Sequence, residues 1–161
     1  MDFEKRLEKA IERGQRSGAA RAEEAARQAL NEDELKRLHT QYRLDLSEHI
    51  ETCIKQLPDH FPGFRYETVM GDRGWGAAVS RDDLVLTHDG GRQSHYSRLE
   101  MAIRPYNTYH VLELSAKGTI RNKEVFARSH YQRLTEVDPS MFRELIDLWI
   151  LEYAELYAAK S

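Results

Sequence analysis

Cysteine is almost absent from this 161-residue chain: Cys53 is the only one. It cannot form a disulfide within the chain, so stability has to come from a packed core, and a lone thiol fits a reducing cytoplasm. Long apolar runs are also missing. The longest, Leu148-Trp149-Ile150-Leu151, is far short of the ~20 residues a membrane-spanning helix needs, so no membrane association is expected. The opening Met1-Asp2-Phe3-Glu4-Lys5-Arg6 alternates charge and has no apolar stretch of the kind a secretory leader carries. Nor is there an excess of one charge: Lys and Arg number 24 and Asp and Glu 27, a net charge of −3. That balance weighs against a nucleic-acid-binding domain, which is usually basic overall. There is no internal repeat and no cofactor-binding motif. What remains is a cytoplasmic protein, 40% hydrophobic and 32% charged, of a size that one core serves.

The charge is unevenly distributed. Residues 1–43 carry ten basic and nine acidic groups, 44–91 four and nine, 92–133 eight and three, and 134–161 two and six. The third segment is therefore the basic one.

Residues 1–31 read as a helical arm. Phe3, Leu7, Ala10 and Ile11 follow helical spacing, while Gly14 and Gly18, at about 1 kcal/mol each relative to alanine, predict a break or hinge. A second run places Ala19, Ala22, Ala26 and Ala29 along one side and reaches Leu30. From residue 32 onward a single α+β domain is expected. Asn31 is the candidate cap of a new helix whose apolar positions run from Leu35 to Leu57, with Pro58 closing it.

After the Pro58–Gly63 turn the hydrophobic period drops to two. Strands are predicted at 64–70, 75–79, 84–88, 95–104, 108–116 and 123–133, with turns at Gly71–Gly74, Asp89-Gly90-Gly91 and Lys117-Gly118. Such short links exclude parallel crossovers, so the six strands form an antiparallel meander. The last element is a long helix: Asp138 caps it, Pro139 takes its first position, and Phe142, Leu145, Ile146, Trp149, Tyr153, Leu156 and Tyr157 line one side. A helix this apolar must pack on one face of the sheet.

Several residue sets could carry chemistry. Asp45, His49 and Cys53, spaced i, i+4, i+8, put three zinc-compatible side chains on one helix face, with Asp59 or His60 as the nearby source of a fourth ligand. The same three could form a histidine-activated thiolate, or simply the edge of the buried stripe. In the basic segment, Tyr96, Arg98 and Arg104, with Phe126, Arg128 and His130, are expected to leave one open sheet face. Basic groups among aromatics suit phosphates and stacked bases of a single strand, and equally a solvated surface or an acidic protein patch. Tyr109, His110, Trp149 and Tyr153 could line a small-molecule pocket between sheet and terminal helix. Phe3, Leu7 and Ile11 form a narrow apolar stripe suited to docking a partner or a second copy.

With no convincing reactive constellation, the sequence favours a non-catalytic interaction or assembly module that forms a homodimer or binds another protein. A small-ligand-binding or enzymatic domain, and an anion- or single-strand-binding sheet, are the alternatives.

Overall fold

The computed structural model describes residues 2–160, apart from the side chains of residues 28–30; Met1, Ser161 and the predicted contributions of Ala29 and Leu30 lie outside the described residues. The chain divides into two compact units, residues 1–37 and residues 38–161.

The first unit is helical from Phe3, part of helix α1 (Phe3–Ile54). Asp2 starts it, its carboxylate accepting the Lys5 amide at 2.9 Å. Neither Gly14 nor Gly18 breaks the helix, and Asn31 starts no new one. Each glycine costs about 1 kcal/mol, but Ala, Glu, Arg and Gln surround them, and pairs such as Glu12–Arg16 and Glu23–Arg27 lie one turn apart.

The second unit begins inside α1. That helix ends at Ile54, and Pro58 lies in the first turn of a short helix α2 (Leu57–His60) where the sequence suggested a helix stop. Five strands follow: β1 (Arg65–Val69), β2 (Trp75–Leu86), β3 (Arg92–Ile103), β4 (Val111–Ile120) and β5 (Lys123–Arg133). They form one antiparallel sheet in the order β1-β2-β3-β4-β5, a meander within an α+β fold. Helix α3 (Pro139–Lys160) closes the chain. Its start follows the sequence: Asp138 accepts the Ser140 amide at 3.0 Å and Pro139 is the first helical residue.

Six strands become five because 75–79 and the first part of 84–88 belong to one strand, which ends at Leu86. The polar run Ser80-Arg81-Asp82-Asp83 that resembled a break stays extended, pairing with Arg98 to His95 of β3. Lys117-Gly118 is not a turn but lies within β4. Its glycine serves packing: a Cβ there would stand 3.0 Å from Tyr153 and 3.2 Å from Phe126, so one of the rings would have to shift. The reversal comes at Arg121-Asn122, both with positive φ (47° and 70°), and a bulge falls between Gly118 and Thr119.

Register assigns the faces. Val79, Leu99, Gly118 and Phe126 are cross-strand neighbours, as are Ala77, Met101, Ala116 and Arg128. This face lies against α3: Phe126 meets Tyr153 edge-on, His130 meets Phe142, and the Tyr153 hydroxyl donates to the Thr119 carbonyl at 2.9 Å. Residues 38–54 of α1 add Leu46, Ile50 and Ile54 to the core, and Arg43 stacks over Trp75 at 4.1 Å. His39 is buried nearby, its Nε2 3.1 Å from the Arg104 carbonyl and its ring edge-on to Tyr106. The opposite face carries a small buried group, Val69, Ala78 and Ala102.

Candidate functional site

Two places in the second unit bring chemistry or exposed apolar surface together. The first lies between α1 and α3. His49 and Cys53 stand one turn apart on α1, so both side chains leave the same side of the helix. Asp147 of α3 meets them: its Oδ1 is 2.8 Å from His49 Nε2, and the Cys53 thiol donates to it at 3.6 Å. Cys53 Sγ also lies 3.7 Å from the same His49 Nε2. All three groups are half-buried.

Asp45, the carboxylate that local spacing nominates, takes no part. The Arg143 guanidinium claims both of its oxygens, at 2.7 and 2.6 Å. Asp147 was out of reach of sequence reasoning, because it is 94 residues from Cys53 along the chain. Its one local trace is its place on α3 one residue beyond Ile146, at the margin of the apolar stripe. A hollow of about 460 Å³ adjoins the cluster, lined by Cys53 and Asp147 with Gln56, Leu57, His60 and Ile150 among others.

The arrangement does not favour nucleophilic chemistry. In a relay of thiol, imidazole and carboxylate, the carboxylate orients the ring through the nitrogen that does not face the nucleophile. Here Asp147 and Cys53 both address Nε2. Burial, reinforced by the neighbouring Asp147 carboxylate, pushes the Cys53 thiol up to about 11, which keeps it protonated at neutral pH. Nitrogen, sulfur and oxygen gathered around one point are instead a borderline-soft metal ligand set.

The second place is the far half of the β2–β3 hairpin. β1 pairs with β2 only as far as Ser80, and β4 pairs with β3 only as far as Arg98. Residues 81–86 and 92–97 therefore continue as a two-stranded ribbon. Since the Thr87 amide bonds Gly91 across the hairpin at 2.9 Å, alternation turns the backbone groups of Asp82, Leu84 and Leu86 outward. The β3 side of the ribbon is capped by Asn122: its side chain accepts the Tyr96 amide and donates to the Ser94 carbonyl, both at 2.8 Å, and its amide bonds the Tyr96 carbonyl. Among the described residues no strand lies along residues 82–86 on the β2 side, where Leu84 and Leu86 are 72% and 77% exposed. Sequence reasoning missed this edge by splitting β2 in two.

The other predicted residues are dispersed. Tyr96 and Arg98 lie on the sheet face away from α3, whereas Phe126, Arg128 and His130 lie on the α3 side, so the expected common basic face is divided. The Gly118 bulge and the later turn set the phase of β5 opposite to the one predicted. Arg128 pairs with Glu152 of α3, Arg98 with Glu67 and Glu100, and Arg104 donates to the Arg73 carbonyl. Tyr109 is 83% exposed and His110 adopts a positive φ of 56°, both just before β4, while the Tyr153 hydroxyl is held at Thr119 near its other end. At ~3.3 Å per residue these points are about 30 Å apart, too far for Tyr109 and His110 to line one pocket with Tyr153; Trp149 is half-buried on α3, one turn before Tyr153. Phe3, Leu7 and Ile11 are exposed on the first unit. No helix among the described residues is long and apolar enough to cross a membrane. No protein-family model matches the chain, and comparison with the curated proteins and with the solved structures found no match.

Proposed function

We propose that this chain is an assembly module that self-associates through the outer edge of β2. The observation that carries the reading is the open edge at residues 82–86, beside a β3 edge that Asn122 closes. A two-stranded ribbon by itself is marginally stable in water, and an edge with unpaired backbone groups and an exposed apolar stretch is a template for another strand. Leu84 and Leu86, the most exposed apolar residues of the edge, would each contribute up to roughly 1.5–3 kcal/mol if fully buried.

The occupant is a second copy of the same edge. Antiparallel pairing of a strand with itself is symmetric about a two-fold axis, so one patch serves both partners. Arg81, Asp82, Asp83 and Arg92 give the ribbon both signs of charge, which lets two copies approach without net repulsion. Joining the edges makes one continuous sheet from two meanders.

Light scattering on the full chain tests the reading. The wild type is expected at the mass of two chains. Leu84→Pro removes an outward amide without touching the bonds inside the hairpin, and Leu86→Lys charges the same edge; both are expected at the mass of one chain. Leu7→Ser with Ile11→Ser is expected to leave the dimer intact. A wild type that is monomeric at high concentration, or edge variants that stay dimeric while the arm variant dissociates, would overturn it.

A further inference from the structure

We propose that His49, Cys53 and Asp147 form a binding site for one zinc-class divalent ion, with the fourth coordination position open to the adjoining hollow. The proposal is independent of self-association through β2, and its test reads a different signal.

The argument is geometric. Zinc binds neutral imidazole nitrogen and carboxylate oxygen at about 2.0–2.2 Å and thiolate sulfur at about 2.3 Å, the Cys53 thiol proton and any proton on His49 Nε2 leaving to solvent as the ion enters. At the tetrahedral angle those lengths require nitrogen–oxygen separations of about 3.3 Å and separations from sulfur of about 3.5 Å. The present separations are 2.8 Å from His49 Nε2 to Asp147 Oδ1, and 3.7 and 3.6 Å from Cys53 Sγ to these two atoms. Two of the three sides already match, and the third needs His49 and Asp147 to part by about 0.5 Å. The ligands come from two helices whose neighbouring residues, Ile50 and Ile54 of α1 and Ile146 and Ile150 of α3, are buried in the core, so the triangle does not depend on its own hydrogen bonds to exist.

Ligand chemistry selects the ion. One soft sulfur with one imidazole and a single carboxylate suits Zn²⁺ and its spectroscopic surrogate Co²⁺, whereas Mg²⁺ and Ca²⁺ require oxygen shells. Three protein ligands leave one position for water or an entering molecule, the pattern of an open zinc site. Cys53 and Asp147 themselves border the hollow, so that position faces a surface of mixed character: Leu57 and Ile150 are apolar, and Gln56 and His60 offer polar groups.

Titration of the chelator-stripped, reduced full-length protein with Co²⁺, followed by displacement with Zn²⁺, tests the proposal. The expected result is one ion per chain, an intense sulfur-to-cobalt charge-transfer band and tetrahedral ligand-field bands, all lost on adding Zn²⁺. Cys53→Ser is expected to abolish the charge-transfer band. Asp147→Asn and His49→Gln should weaken binding by at least the roughly 10–100-fold that loss of an outer-shell partner costs. Asp45→Asn, whose carboxylate belongs to Arg143, should retain the wild-type spectrum and affinity. Because a substitution between packed helices can unfold the chain, each variant is checked by circular dichroism, and zinc-induced stabilisation of the wild type gives a second readout. Absence of the charge-transfer band in the wild type, its survival in Cys53→Ser, or equal zinc affinity in wild type and Asp147→Asn would overturn the assignment.

Discussion

Acid should weaken this fold through His39, and the size of the effect can be worked out from its surroundings. The side chain is 3% exposed. Burial lowers its pKa below the ordinary 6.5; the Arg104 carbonyl, which its Nε2 approaches, opposes that shift, and the Arg43 charge adds to it. The folded state therefore holds His39 neutral at pH values where the unfolded chain has already taken up a proton. A group with a depressed imidazole pKa contributes nothing extra well above 6.5 and costs stability as pH falls below it. If the folded group stays neutral throughout, lowering the pH from about 7.5 to about 5.5 costs at most about 1.4 kcal/mol, a fall of roughly 3–6 °C in Tm for a domain of this size. Urea unfolding at the two pH values, followed by Trp fluorescence, measures it for the wild type and for His39→Gln. The other six histidines are common to both proteins. The wild type should lose up to about 1.4 kcal/mol more than the variant on acidification. Equal losses in the two proteins, or a greater loss in the variant, would refute the reasoning.

Two packing predictions accompany it. Ile50→Ala empties a fully buried position on α1 and is expected to cost about 2–5 kcal/mol in urea unfolding with an unchanged m-value. Gly74→Ala places a Cβ at a φ of +111° and against the Ile103 carbonyl, so it should destabilise by at least about 1–3 kcal/mol, read as a lower midpoint by circular dichroism.

What the sequence revealed depended on whether the physics was local. Helix α3 was legible from Asp138-Pro139 and an apolar stripe, because capping and periodicity are written in neighbouring residues. The meander was legible for the same reason, from short links between alternating runs. Gly118 misled because a glycine serves close packing as readily as a turn, and only the positions of Tyr153 and Phe126 tell which. Ser80-Arg81-Asp82-Asp83 misled because a stretch at most half-buried on either face need not carry apolar side chains at alternate positions. At the ligand cluster, i, i+4 spacing found His49 and Cys53 but nominated Asp45. The carboxylate that meets them comes from another helix, and Arg143, which takes Asp45, comes from that helix too.

A sheet with helices on one side has to close its other side by some means. Here cross-strand neighbours Glu67, Ala78 and Glu100 lie in a row, and Arg98 bonds the two carboxylates at 2.5 and 3.0 Å across the alanine between them. Arg73 joins Glu100 at 2.9 Å, so an ion-paired row of charged side chains borders the small floor of Val69, Ala78 and Ala102. A phosphate seeking Arg98 would have to evict two resident anions and wet that floor. The back of the sheet thus acts as a shield, sealed by ionic thatch where a third layer of structure would otherwise be required.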